Sequence, residues 1–436
     1  MRTIIIGGGL TGISCAYKLQ SLNKDFLIIE KENELGGLCR SVYKNGFVFD
    51  YTGHFLHFQD KNIKRFVESK LNKNILCIKR NSKIYTEVSV TKDKLIPYPF
   101  QANIDFLKPE VKKFCVEQLL FSNLSFNNIK YKNFYHWCIN NFGAGISKNF
   151  LFPYNSKLWL TDLKKISYDW VEKFVPKPDI QEILENILTK KLKDYGYNIN
   201  FYYPKYGGIQ SLINSISKCL DNRRIIKNDK VVKIDVDKKN VYLSSGEIFS
   251  YNKLVSTIPL VDFLKISTVS QNIKSLIDKL KYTTVLCFNI ALKKKTKQKT
   301  HWIYFPAKDL IFYRIGFYHN INENLVLKNC GSLYVEISVS PKKNVDEKML
   351  YKKILYDLKK IQIISSTEDI LFYDVIKIPV GYVIYDLERK FLVEKIQKYL
   401  SDRDIYSIGR YGGWKYSYME ENIKEGFDVV KKIIKL

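Results

Sequence analysis

The chain has 436 residues, 46% of them hydrophobic and 14% aromatic, enough for a large core shared among two or three domains. Its 71 Lys+Arg against 44 Asp+Glu leave a net charge of +27, which fits a nucleic acid, an anionic membrane or a phosphorylated small molecule. The lysines fall in ones to threes, with no basic tail and no aromatic-interleaved RNA motif, so nucleic acid is not expected as a partner. A Lys- and Asn-rich compositional bias explains the charge more simply.

The first 32 residues read strand, Gly-rich turn, helix, strand. Thr3–Ile6 is a short continuous apolar run of the kind found in buried parallel strands. Ile13, Ala16, Tyr17 and Leu19 follow with helical spacing, and "DFLIIE" forms the second strand. From 104 to about 200 the pattern is helical, as in "NFYHWCINNFG" and "DIQEILENILTKKLKDYG". Short strands return over 224–260. Strands dominate 280–385, with one helix near 346–360, and the end reads strand, Gly turn, helix. No repeat, low-complexity tract or linker appears, so the domains are expected to be discontinuous. The expectation is an α/β protein with three parts. A Rossmann-type domain takes 1–80, 203–270 and 395–436, a helical substrate domain 104–202, and an antiparallel β-sheet domain 81–103 and 271–394.

Glycines 7, 9 and 12 fit GxGxxG. The first makes the tight turn, the second admits a pyrophosphate to the backbone, and the third allows close helix–strand packing. The helix N-terminus, with Leu10 and Thr11, offers N–H groups to phosphates. Glu30, followed by Lys31, ends the second strand and is placed for a ribose hydroxyl.

"ENELGGLCR" then adds Gly37, Leu38 and Arg40, the last a partner for pyrophosphate. This resembles the amine-oxidase-like FAD superfamily, whose GG-x-x-R segment follows the ribose-binding Glu. The resemblance implies FAD as cofactor. It also implies flavin-side roles for Gly53 and His54 in "TGH", an adenine-side contact at Val232, and a second flavin turn at Gly409-Arg410 in "GRYGGW". His54 would tune the flavin or hydrogen-bond a backbone group.

Further stretches, in order over some 400 residues, resemble UDP-galactopyranose mutase, more the eukaryotic form than the bacterial one. "IPYPFQANI" is similar to that family's uridine segment, implying Tyr98 and Phe100 flanking the base and Gln101 hydrogen-bonding it. "FPYNSKLW" brings Asn155 and Trp159 toward sugar and flavin. "HWIYFPAKDLIFYR" matches at Trp302, Tyr304 and Arg314, "GYVIYDLER" makes Tyr382 a diphosphate contact, and "GRYGGWKY" does so for Tyr416. Gly207 and Gly208 are expected to support the fold. The resemblance implies an isomerase that interconverts the pyranose and furanose forms of a UDP-hexose on reduced FAD by covalent flavin catalysis, with NADPH or NADH as reductant. It also implies a place in cell-surface polysaccharide biosynthesis. An arginine fork and two phenols suit a diphosphate.

Two departures stand out. Phe174 occupies the position of the family's second phosphate-binding arginine, four residues after Trp170, with Lys173 beside it as a possible substitute cation. After Tyr416 the stretch "SYMEEN" is shorter than the family's. Arg314 is therefore expected to hold the diphosphate largely alone. The competing expectations are an oxidoreductase of the amine oxidase or protoporphyrinogen oxidase type, and a basic flavoprotein scaffold.

The eight cysteines show no CxxC pairing and the histidines number five, so no metal site is expected. No apolar run reaches the roughly 18 residues of a membrane span, and no signal peptide precedes the first strand. A cytoplasmic location is expected, with peripheral membrane association and oligomeric state left open.

Overall fold

The computed structural model describes residues 2–125, 130–189, 195 and 199–434. Thr3–Ile6 is fully buried and lies at the centre of a five-stranded parallel sheet. The order across it is Ile405–Ser407, Lys253–Ser256, Thr3–Ile6, Phe26–Ile29, Ile225–Ile226. Strands from both ends of the chain thus complete one Rossmann-type layer, as its discontinuous pattern suggested. The helix Leu10–Ser21 packs against the C-terminal helix Met419–Ile434. Gly426 makes that contact possible, because a Cβ there would stand 2.6 Å from the Thr11 carbonyl oxygen.

The second layer is a seven-stranded sheet. Its order is Ile370–Val383, Tyr282–Leu292, Gly331–Val339, Arg314–Phe317, Trp302–Tyr304, Ser82–Tyr85, Leu95–Pro97. All neighbours are antiparallel except Trp302–Tyr304 with Ser82–Tyr85, which run parallel. The expected antiparallel sheet is therefore mixed at that one joint. Tyr282–Leu292 is buried on both faces. Leu286, Phe288 and Ile290 pack with Ile354 and Leu358 of the helix Glu347–Lys360, while Val285, Cys287 and Ala291 face the main core. A period of two divides the strand between the two cores.

The helical part contains Pro109–Ser125, Phe134–Ile146, Phe152–Trp159 and Ile180–Thr189. The expected continuation of "DIQEILENILTKKLKDYG" through 190–194 and 196 lies outside the described residues. A π-helical turn, Ser147–Leu151, feeds directly into Phe152–Trp159.

Two expected domain boundaries cut through elements. Residue 395 falls inside the helix Arg389–Ser401, whose Leu392, Ile396 and Leu400 pack with Ile4, Leu254 and Ile405 of the Rossmann layer. Residue 203 ends the strand Asn200–Tyr203, which pairs with Leu76–Lys79. Lone hydrophobic patterns do not show which layer claims an amphipathic helix. Among the described residues no helix is long and apolar enough to cross a membrane.

Candidate active site

A cavity of about 1030 Å³ runs from the Gly-rich turn of the Rossmann layer to the face of the seven-stranded sheet. At the first end, Gly7, Gly9, Leu10, Thr11, Glu30, Lys31, Gly37, Leu38 and Arg40 all line it. Gly12 does not, and its reason for being glycine is packing. A Cβ there would stand 2.1 Å from the Gly7 carbonyl oxygen, so only glycine lets the helix start this close to the strand. The two glycine turns are joined, since Gly36 N–H donates to Gly8 O at 2.8 Å.

Glu30 is buried and accepts from Gly8 N at 2.7 Å and Glu32 N at 3.0 Å, which fixes its carboxylate at the strand end. Arg40 donates through Nε to Gly37 O at 3.0 Å and lies 4.9 Å above the Tyr51 ring. Gly409 N–H donates to Glu425 at 2.9 Å, so the second turn reaches the cavity through Arg410 and Tyr411 rather than through Gly409. Val232 is a correction: it is 46% exposed and points away, while its neighbour Val231 is buried and lines the cavity. In a strand, a one-residue offset reverses the face.

The far end is built from the sheet. Tyr304 and Arg314 stand directly opposite each other, as do Arg314 and Glu336, so three adjacent strands place one row of side chains on one face. The next row carries Trp302, Gly316 and Tyr334. The helix Phe152–Trp159 is clamped to this hairpin by Lys157, whose Nζ donates to Phe305 O and Ala307 O at 2.9 Å each and also to Phe312 O. Trp159 Nε1 donates to Asn155 Oδ1 at 3.1 Å, and Asn155 Nδ2 donates to Leu151 O at 2.8 Å. Both line the cavity with their polar atoms already used within the helix, so Asn155 sets the plane of Trp159. Tyr382 meets the Trp159 ring at 5.8 Å and the Tyr416 ring at 5.7 Å. Arg410 lies 5.5 Å from Tyr382 and 4.6 Å from Tyr416 and donates to Ser417 O.

The electrostatics of this end differ from expectation. Arg314 meets its anion inside the protein: Nε and Nη2 form a fork on Glu336 at 2.9 and 2.8 Å, and Glu336 is fully buried. Lys173 offers no substitute charge, being 59% exposed and 3.3 Å from Glu421. Phe174 does line the cavity and packs edge-on against Tyr416 at 4.1 Å. Burial pushes the phenols of Tyr98, Tyr154, Tyr313 and Tyr382 upward, so they stay O–H donors at neutral pH. Burial, and then the charges of Arg410 and Arg314, lower His54 to about 4, leaving a neutral imidazole.

Near the proposed base position, Tyr98 and Gln101 line the cavity but Phe100 does not. Phe100 is wholly buried and stacks on Phe150 at 5.4 Å, so Phe150 is the ring that reaches the cavity. Gln101 Nε2 donates to Pro176 O, and its Oε1 is buried without a partner. His54 Nδ1, Trp302 Nε1 and Tyr313 OH are likewise buried, unpartnered atoms of cavity-lining residues. Sequence reading missed Glu336, Phe150, Tyr154 and Tyr313. Only Glu336 left a signal, as a carboxylate inside the apolar run "SLYVEISV".

Residues 5–69 match the family model of the NAD(P)-binding Rossmann-like domain. Protoporphyrinogen oxidase 2 of Arabidopsis thaliana is 37% identical over 49 residues, 11% of this chain and 10% of that protein. The chain thus spans only about a tenth of the length of such curated relatives. Residues 5–69 thus form a Rossmann-like dinucleotide-binding unit, and the whole chain shares the fold of solved flavoenzymes that include a cyclohexylamine oxidase from Brevibacterium oxydans, at TM-score 0.70 and 13% identity over 100% of this chain and 98% of that one. More particularly, the fold is that of UDP-galactopyranose mutase: a crystal structure of the reduced mutase superposes with TM-score 0.92 at 28% identity, over 100% of this chain and 94% of that one. A putative protoporphyrinogen oxidase from Exiguobacterium sp. 255-15 shares the fold at TM-score 0.77 and 14% identity, covering 100% and 99% of the two chains.

Proposed function

We propose that the chain is a FAD-dependent isomerase that interconverts pyranose and furanose forms of a UDP-hexose. The observation that carries this is the single cavity, with a dinucleotide turn at one end and a guanidinium among phenols at the other. FAD fits the first end. Gly7, Gly9 and the helix N-terminus suit its pyrophosphate, Glu30 its ribose, and Arg40 and Arg410 its charge. Unpartnered buried atoms on His54, Gln101, Trp302 and Tyr313 call for ligand groups between the two ends. Reduced FAD, when bound, supplies the nucleophilic centre, and NADPH or NADH is the expected reductant.

The protein's own residues would bind and orient. Gln101 Oε1 would accept from the base, while Tyr98 and Phe150 supply aromatic walls. Tyr382 and Tyr416 would donate to the diphosphate alongside the outer edge of Arg314. The aromatic lining from Trp159, Trp302 and Tyr304 would exclude water while the sugar is detached from UDP. Neutral His54 would accept or donate one hydrogen bond without placing a charge beside the ring system.

The alternative is an oxidoreductase of the amine oxidase or protoporphyrinogen oxidase type. Phe174 and the neutralised Arg314 favour it, because both lower the positive potential that a diphosphate needs. The two readings separate in one experiment. Dithionite-reduced protein is given UDP-galactofuranose and the products are resolved by HPLC. UDP-galactopyranose formed only in the reduced state supports the isomerase. Steady peroxide production from an amine, with no isomerisation, would overturn it.

A further inference from the structure

Glu336 is a charge in an unusual place. It sits in the middle of the buried strand Gly331–Val339, is fully inaccessible, and lines the cavity next to Arg314. A buried carboxylate is costly without a partner, and its partner is the Arg314 guanidinium directly opposite it on the neighbouring strand. The pairing is geometrically complete on one side. Nε and Nη2 of Arg314 go to the two carboxylate oxygens, whereas Nη1 makes no hydrogen bond to any described residue. The strand register places the two residues directly opposite each other, so the fork comes from the sheet and not from flexible loops. Tyr304, on the other side of Arg314, closes the row.

Resting on the nucleotide-sugar reading, we propose that Glu336 is the positioning residue of the anion site. It holds the guanidinium plane so that the Nη1 edge faces the cavity, and it offsets enough charge for a bound diphosphate to be released. A guanidinium without Glu336 would meet the dianion as a full, loosely oriented cation. With Glu336 it is a fixed donor edge on a nearly neutral pair. This explains how a site with Phe174 in place of a second cation can still direct a diphosphate: direction comes from the fork, and the phenols of Tyr382 and Tyr416 complete the set. Glu336 touches neither sugar nor base in this scheme and acts only through Arg314.

The test uses flavin-loaded wild type, Glu336→Gln, Arg314→Gln and the double variant, each titrated with UDP by calorimetry. Glu336→Gln keeps the side-chain volume and removes the charge. It should bind UDP about tenfold more tightly, the effect of one charge a few ångströms from the anion in a protein environment. KM should fall by a similar factor while kcat does not rise, whereas simple structural damage would raise KM. In the Arg314→Gln background, where a buried carboxyl left without its partner is held in its neutral form, the same change should have no effect on UDP affinity. Unchanged or weaker UDP binding by Glu336→Gln overturns the inference, as does an effect that survives in the Arg314→Gln background. If Glu336→Gln does not give folded protein, Glu336→Asp decides: it keeps the charge but is one methylene too short for the fork on Arg314, so UDP affinity should fall severalfold as the guanidinium loses its fixed plane, and wild-type affinity would overturn the role. A wild-type protein that binds no UDP overturns the nucleotide reading itself, a different outcome from an Arg314–Glu336 pair that does not matter.

Discussion

Asp50 offers a stability prediction that can be worked from the structure. It ends the strand Phe47–Asp50 four residues before His54 and is 1% exposed. Its carboxylate accepts from Ser41 Oγ at 2.6 Å, Tyr203 OH at 2.6 Å and Ile209 N at 3.2 Å. These bonds favour the charged form, but burial outweighs them and raises the carboxyl from 3.8 to about 6. The folded value lies above the unfolded one, so the favourable contribution is complete below pH 3.8 and is lost as pH rises through about 6. A shift of this size corresponds to about 3 kcal/mol. Asp50→Asn mimics the protonated form: its oxygen can keep Ser41 and Ile209, and its amide can donate to the Tyr203 hydroxyl. Urea unfolding of both proteins at several pH values isolates the one group, because every other titration cancels in the difference. The variant should gain on wild type by about 3 kcal/mol between acid and neutral pH, with most of the change centred between the two pKa values. A constant difference across that range, or one that widens toward acid, would refute the assignment of a strained buried carboxylate.

Two further expectations concern the anion end. Phe174→Arg restores a cation against Tyr416 and should tighten UDP binding by about 1–2 kcal/mol. A titration showing no gain, in protein that still carries flavin, would mean that residue 174 does not face the diphosphate. Arg314→Ala should weaken UDP binding by about 2–5 kcal/mol. Because it strands buried Glu336, it should also destabilise the protein by about 3–5 kcal/mol. Unchanged UDP affinity with the fold intact would remove Arg314 from the site, and unchanged unfolding would show that the buried pair has little structural weight.

Several features of the protein are local and therefore readable in the chain. The glycine turn, the apolar strand before it and Glu30 lie within 30 residues, and each obeys rules of backbone sterics and helix ends that act over a few positions. The aromatic content of the cavity was visible as well, since Tyr98, Trp159, Trp302, Tyr304, Tyr382 and Tyr416 all line it. Other properties depend on pairing across distance. The one-residue offset between Val231 and Val232 is set by which face of the small sheet meets the cavity. Phe100 and Phe150 exchange places because their stack turns one inward and leaves the other at the wall. The partner of Arg314 is 22 residues away on the neighbouring strand, and only strand register brings Glu336 opposite it. By itself the sequence determined which residue types stand ready for a dinucleotide and an anion. The tertiary structure decided which of those charges remain available, because charge compensation depends on distances that only folded strands set.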